Sequence, residues 1–225
     1  MSRPMPRIFL IRHGETEWSL NGLDIPPYRQ TGRSDIPLTP RGEDQIKSKA
    51  PILVGEGKAI DPENLCVALV SPRQRAHKTF HLLFEHLPQF PHHILSEEVR
   101  EWDYGDYEGL FLHEIKEKKP GWDIWRDGCV GGESVEEMRS RVDNVIAKVR
   151  DYHREYKEGG TNTRDVLIVA HGHFNRVFIS RWINFDLALG THFNVEPGGV
   201  TVLSYNHNSL EEPALNALNL YADLK

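Results

Sequence analysis

Arg12 and His13 stand side by side at the end of the apolar run Ile8-Phe9-Leu10-Ile11 and are followed by Gly14-Glu15-Thr16. A neutral imidazole is a nucleophile, and a fixed guanidinium beside it can hold the oxygens of an anion under attack, so the pair suits phosphoryl chemistry. Glycine after the histidine removes a Cβ and lets a ligand approach the backbone. Two further stretches repeat the arrangement. Val67-Ala68-Leu69-Val70 leads into Ser71-Pro72-Arg73-Gln74-Arg75-Ala76, and Val166-Leu167-Ile168-Val169-Ala170 leads into His171-Gly172-His173. Each stretch alone also reads as a polar strand terminus running into a helix start. On parallel neighbouring strands they would bring two arginines and two histidines to one sheet edge, where open α/β sheets bind ligands.

The elements that must position these residues follow from the pattern. The three apolar runs read as strands buried on both faces. Thr39-Pro40-Arg41-Gly42-Glu43 is a helix start, with Thr as N-cap and Pro in the first turn, and that helix runs to about Val54 or Gly55 unless Pro51 ends it earlier. A second helix runs to about Leu87, and His93-Ile94-Leu95 is a short strand. Ser134 to Glu158 carries Val135, Met138, Val142, Val145, Ile146 and Val149 at helical spacing. A further helix ends near Ile183, and Val200–Tyr205 is a late strand. Strands alternating with helices predict an α/β three-layer sandwich with a mostly parallel central sheet. Residues 97–132 break the pattern with Trp, Tyr, Gly and charge, and read as a small cap insertion over the strand C-terminal ends. The chain is then one domain over 1–225, with a core at about 7–96 and 133–206.

Composition narrows the function classes. A formal net charge of −6 gives no general attraction for nucleic acid, so an anionic ligand needs a local cationic pocket. Two cysteines, Cys66 and Cys129, fit a reducing compartment. No apolar run is long enough to span a bilayer, and the first residues carry no secretory signal. The expectation is a cytoplasmic protein with no membrane or nucleic-acid partner and undetermined oligomeric state. Twelve histidines raise the question of a metal. The spacings of His81 with His86, of His92 with His93, and of His171 with His173 offer no convincing ligand set, so no metal is expected.

These residues resemble the histidine phosphatase superfamily, the phosphoglycerate mutase-like proteins, in order along nearly the whole chain. The resemblance implies chemistry without metal or organic cofactor. It makes His13 the phosphoryl acceptor, with Arg12, Arg75 and His171 holding the phosphoryl oxygens and Thr31 and Gly32 adding contacts. Arg12 and Arg75 would disfavour a protonated imidazole and keep His13 nucleophilic. The resemblance also places the general acid three residues before a Tyr-Gly pair, which is Glu101, with Asp103 in reserve. Ser19, Tyr104, Gly172 and His173 complete the expected substrate contacts.

Within that family, Phe111-Leu112-His113 after Glu108-Gly109-Leu110, and Asp127 after Trp125-Arg126, lack the basic residues by which mutases hold a carboxylate. Hydrolysis is therefore expected over a mutase reaction, and both over a binding module without turnover. The stretch 100–109, then Trp122 to Cys129, and Val202-Leu203-Ser204-Tyr205 with Glu212-Pro213-Ala214-Leu215, resemble the sedoheptulose 1,7-bisphosphatase branch. That resemblance implies a small sugar phosphate or bisphosphate cleaved at its C1 phosphate. Arg73, Arg100 and Arg126 are candidates to hold the remote phosphate, and Trp102, Tyr104 and Trp125 to wall the sugar. The chain departs from the branch in a shorter 186–198 region and in extra residues at 22–30, including Pro26-Pro27-Tyr28-Arg29 as a new lip.

Overall fold

The computed structural model describes residues 3–19 and 29–222. Pro26, Pro27 and Tyr28 of the expected lip lie outside the described residues. The chain forms β1 (Ile8–Arg12), α1 (Pro40–Leu53), β2 (Leu65–Val70), α2 (Gln74–Phe84), β3 (His93–Leu95), α3 (Leu112–Lys118), α4 (Ile124–Asp127), α5 (Val135–Lys157), β4 (Asp165–Ala170), α6 (Gly172–Trp182), β5 (Val200–Tyr205) and β6 (Pro213–Leu220).

The strands make one six-stranded sheet in the order β3-β2-β4-β1-β5-β6. The pairs β1/β4, β2/β4 and β2/β3 are parallel, and β1/β5 and β5/β6 are antiparallel. Register fixes the site. Arg12 lies opposite Ala170, and Val70 lies opposite Val169. The three polar stretches therefore leave neighbouring strands at one level.

Side chains alternate between the two faces, as strand geometry requires. Ile8, Leu10, Val166, Ile168 and Ala170 join the core beneath α5 and α6. Phe9, Ile11, Leu167, Val169 and Val70 join the core beneath α1 and α2. Helices thus cover both faces of the sheet.

Local signals set the helix ends. The Thr39 hydroxyl accepts from the Gly42 N–H at 2.9 Å, and Ser134 and Glu137 form a reciprocal capping box. Pro51 does not end α1 early. It sits in the last turn, and the helix closes at Leu53. The sheet extends past the expected core limit near residue 206 through β6, whose half-buried residues show no clear alternation.

Residues 97–132 fold over the strand ends with two short helices, α3 and α4. Their aromatic residues are not a separate core. Trp102, Tyr104, Tyr107, Trp122 and Trp125 pack into the same cluster as Ile8 and Leu10. Gly105, at φ +53°, lies against the backbone of 130–132 so closely that a Cβ has no room.

Candidate active site

His13 leaves β1 and is 6% exposed at the floor of a cavity of about 470 Å³. Its Nδ1 lies 2.7 Å from its neighbour's carbonyl, that of Gly14. A carbonyl only accepts, so Nδ1 carries the proton and Nε2 presents a lone pair. Burial first, and then the charges of Arg75 and Arg12, hold the imidazole well below its ordinary 6.5, so it is neutral.

His171 caps α6 where β4 passes directly into that helix, and its ring centroid is 5.2 Å from that of His13. Its Nε2 is 2.7 Å from the Ser71 hydroxyl, which also accepts from the Arg73 N–H. A hydroxyl keeps its proton and a second lone pair after that acceptance, so either neutral tautomer of His171 satisfies the contact. The His171 Nδ1 is buried without a hydrogen-bond partner among the described residues. Burial, Arg75 and His13 keep this imidazole neutral as well.

Arg75 is 1% exposed in the first turn of α2. Its guanidinium donates to the carbonyls of Ser34 (2.8 Å) and Thr31 (2.9 Å), which orients it and ties the 31–34 loop to the site. Arg12 is fixed by a bond to the Val195 carbonyl at 2.7 Å. A Cβ at Gly172 would stand 3.5 Å from Arg12 Nε and 3.6 Å from Glu101 Oε2, so all three groups meet at that glycine.

Glu101 is buried against the start of α6. Its Oε1 accepts from the backbone N–H groups of Trp102 (2.9 Å) and Phe174 (2.8 Å), and its Oε2 from that of His173 (3.0 Å). The open donors of a helix N-terminus make this a natural carboxylate seat. Arg141 of α5 braces the segment from behind. It donates to the Glu98 and Arg100 carbonyls at 2.9 Å and forms a buried ion pair with Glu133 at 2.7 Å.

The remaining candidates divide. Thr31, Ser19, Tyr104, Gly172 and His173 line the cavity. Ser19 also closes the 16–19 turn through Thr16, and the Tyr104 hydroxyl is 2.7 Å from His173 Nδ1. Burial, with Arg176 and Arg12, lowers the His173 value to about 3, and burial raises that of Tyr104, so the pair is neutral.

Gly32, Arg73, Arg100 and Arg126 do not line the cavity. The Gly32 N–H donates to the Glu108 carboxylate. Arg73 turns to the Gly32 carbonyl and Glu97, Arg100 to Glu133, and Arg126 to Asp127 and the Gly121 carbonyl. Asp103 is paired with Arg33 at 2.8 Å. Trp102 is fully buried behind the wall that Trp125 presents.

Three further cations line the cavity: Arg29, which the sequence placed in the new lip, and Lys116 and Arg176, which sequence reasoning missed. Helical spacing held part of the signal, since Leu112 and Lys116 lie one turn apart on one face of α3. Among the described residues no group of three histidine, cysteine or acidic side chains converges as a metal site, and no helix is long and apolar enough to cross a membrane.

With this geometry in place, the family model described as the histidine phosphatase superfamily (branch 1) matches residues 8–218. The chain belongs to that superfamily. It is 32% identical to sedoheptulose 1,7-bisphosphatase of Saccharomyces cerevisiae, over 93% of this chain and 91% of that protein. It is 35% identical to an acid phosphatase of Mycobacterium tuberculosis, over 89% and 87% of the two chains. A solved structure of the Mycobacterium tuberculosis open reading frame Rv3214 superposes with a TM-score of 0.77 at 33% identity, covering 96% of this chain and 97% of that one.

Proposed function

We propose that this protein is a phosphoric monoester hydrolase that cleaves a small sugar phosphate or bisphosphate through a phosphohistidine on His13. The observation that carries the reading is the 2.7 Å contact from His13 Nδ1 to the Gly14 carbonyl, which leaves Nε2 unprotonated and facing the cavity floor. Similarity to a sedoheptulose bisphosphatase and an acid phosphatase supports the same class.

In this reading the Nε2 lone pair forms a bond to phosphorus as the ester P–O bond breaks. Arg12, Arg75 and His171 hold the non-bridging oxygens, which suits a reaction governed by positioning and electrostatics. Glu101 gives its proton to the departing alkoxide. The resulting carboxylate then takes a proton from water as the water oxygen attacks phosphorus, and the N–P bond breaks to restore neutral His13. The step needs no metal. We assign the nucleophile and the groups that hold the phosphoryl oxygens to the 7–96 and 133–206 core, the proton donor Glu101 to the start of the 97–132 cap, and substrate choice to the rest of that cap, in a protein of the cytoplasm.

The test is phosphate release from sedoheptulose 1,7-bisphosphate, fructose 1,6-bisphosphate and an aryl phosphate, with acid-labile labelling of the protein from a labelled substrate. Release and labelling are expected from the native chain, and neither from His13→Ala. Undiminished release by His13→Ala would overturn the mechanism. Exchange between 2- and 3-phosphoglycerate without net release would identify a mutase instead.

A further inference from the structure

His77 and His81 stand four residues apart on α2, in the stretch His77-Lys78-Thr79-Phe80-His81. That spacing puts both rings on one flank of the helix, one turn apart. Their Nε2 atoms are 3.1 Å from each other, with ring centroids 4.5 Å apart and ring planes at 71°. Both residues are half-buried, and neither lines the cavity that holds His13. Ala76, Phe80 and Leu83 supply the core-facing side of α2, so the histidine pair is not needed to close the core.

Aromatic neighbours hold the pair in place. The His81 ring meets Phe90 edge-on at 5.1 Å and Phe80 at 5.9 Å, and Phe80 packs on His93 of β3 at 4.6 Å. Burial first, and then His81 and His93, lowers His77 below its ordinary 6.5, so this ring is neutral at pH 7. Across the 3.1 Å contact one Nε2 donates its proton and the other accepts with its lone pair. Moving the donor's proton to its own Nδ1 leaves two Nε2 lone pairs side by side, with no net loss of protons. Neutral imidazole nitrogens are the form that binds metal.

We propose that His77 and His81 form a two-toothed site for one late first-row divalent transition ion, of the zinc, nickel and copper class, on α2 outside the reacting cavity. Such an ion lies about 2.0–2.1 Å from each imidazole nitrogen. Two nitrogens on it are then about 3.3 Å apart at a tetrahedral angle and about 2.9 Å apart at a right angle. The observed 3.1 Å falls between the two, so chelation needs a turn of the rings and no movement of the helix. Water fills the remaining positions. Magnesium and calcium prefer oxygen ligands and are not held by two imidazoles. Because the helix and its aromatic neighbours already fix the two rings, little side-chain freedom is lost on binding. The site stands apart from the phosphatase reading, whose steps use neither ring.

Calorimetric titration of the untagged full chain with nickel chloride at pH 7 tests the site, with magnesium chloride as the control ion. The tightest nickel site is expected to take one ion per chain, and magnesium none. His77→Ala and His81→Gln should each weaken nickel binding at least tenfold. Glutamine at 81 keeps a hydrogen-bonding side chain and good helix propensity, so a loss there reports the missing imidazole and not a broken helix. His92→Ala removes an exposed histidine outside the pair and should leave affinity within twofold. Nickel should also raise the thermal midpoint of the native chain and leave that of His81→Gln unmoved. No nickel binding by the native chain, a loss below tenfold in either pair variant, a loss beyond twofold in His92→Ala, or an equal rise of both midpoints overturns the site.

Discussion

The Glu101 carboxylate sits across the first turn of α6, with Oε1 2.8 Å from the amide nitrogen of Phe174. The helix that starts immediately after His171 thus also seats the proposed proton donor. One rigid element therefore sets the distance between His171 and Glu101.

Glu101→Gln should therefore keep the fold and lower kcat by about 10²–10⁴. The loss should be largest for alkyl phosphates and smaller for aryl phosphates, whose leaving oxygen needs little protonation. Steady-state rates across a series of leaving groups check this, and an equal loss across the series would remove Glu101 from the acid role.

Arg75→Ala should cost about 10²–10³ in kcat/KM through lost stabilisation of the phosphoryl oxygens. It also removes both bonds to the 31–34 loop, so proteolysis near Thr31 should accelerate. Arg75→Lys restores charge without the two-pronged anchor, and should recover rate less well than a pure charge effect would require.

The pH dependence has a definite sign. Burial lowers His13 and His171 well below 6.5, His153 to about 4 and His173 to about 3. The unfolded chain then binds more protons than the folded one below pH 6.5, so stability falls as pH drops from 6.5 toward those values. Each group contributes up to about 1.4 kcal/mol per pH unit across its window. Urea melts at pH 7 and pH 5 check the direction. The acid limb of kcat/KM from His13 should likewise lie below pH 6.5.

Arg141→Met leaves the buried Glu133 carboxylate without its closest partner, and should destabilise the chain by about 3–5 kcal/mol. It also frees the Glu98 and Arg100 carbonyls, so kcat should fall although Arg141 touches no substrate. Adding Glu133→Gln should recover stability and leave the kcat defect. Denaturant melts and rates on the same samples separate the two effects.

The fold was legible because its strands are continuous apolar runs and its helices carry explicit caps, as at Thr39 and Ser134. Arg12, His13 and His171 could be placed from the sequence because each lies at or next to a strand end, where sequence position translates directly into space, whereas Arg75 and Glu101 lie further along the segments after β2 and β3. β6 was not, since its half-buried residues neither alternate nor cluster. The partners of Arg73, Arg100 and Arg126 were not legible, because charge alone does not reveal which carboxylate a long side chain will meet. Arg141 and Arg176 look like ordinary polar positions on amphipathic helices, and their partners come from segments distant in sequence.

Gly14 and Gly42 let the loop after β1 and the first turn of α1 meet backbone to backbone. A Cβ on Gly14 would stand 2.9 Å from the Gly42 carbonyl oxygen, and one on Gly42 would have no room beside Glu15. That backbone contact, together with the Gly14 N–H bond to the Thr79 hydroxyl at 3.0 Å, pins the loop that carries His13. Apart from Glu101, the cap meets the cavity through side chains such as Tyr104, Lys116 and Trp125 that can be exchanged one at a time. Inheritance can thus vary the lining of this cavity while the loop that carries His13 stays fixed.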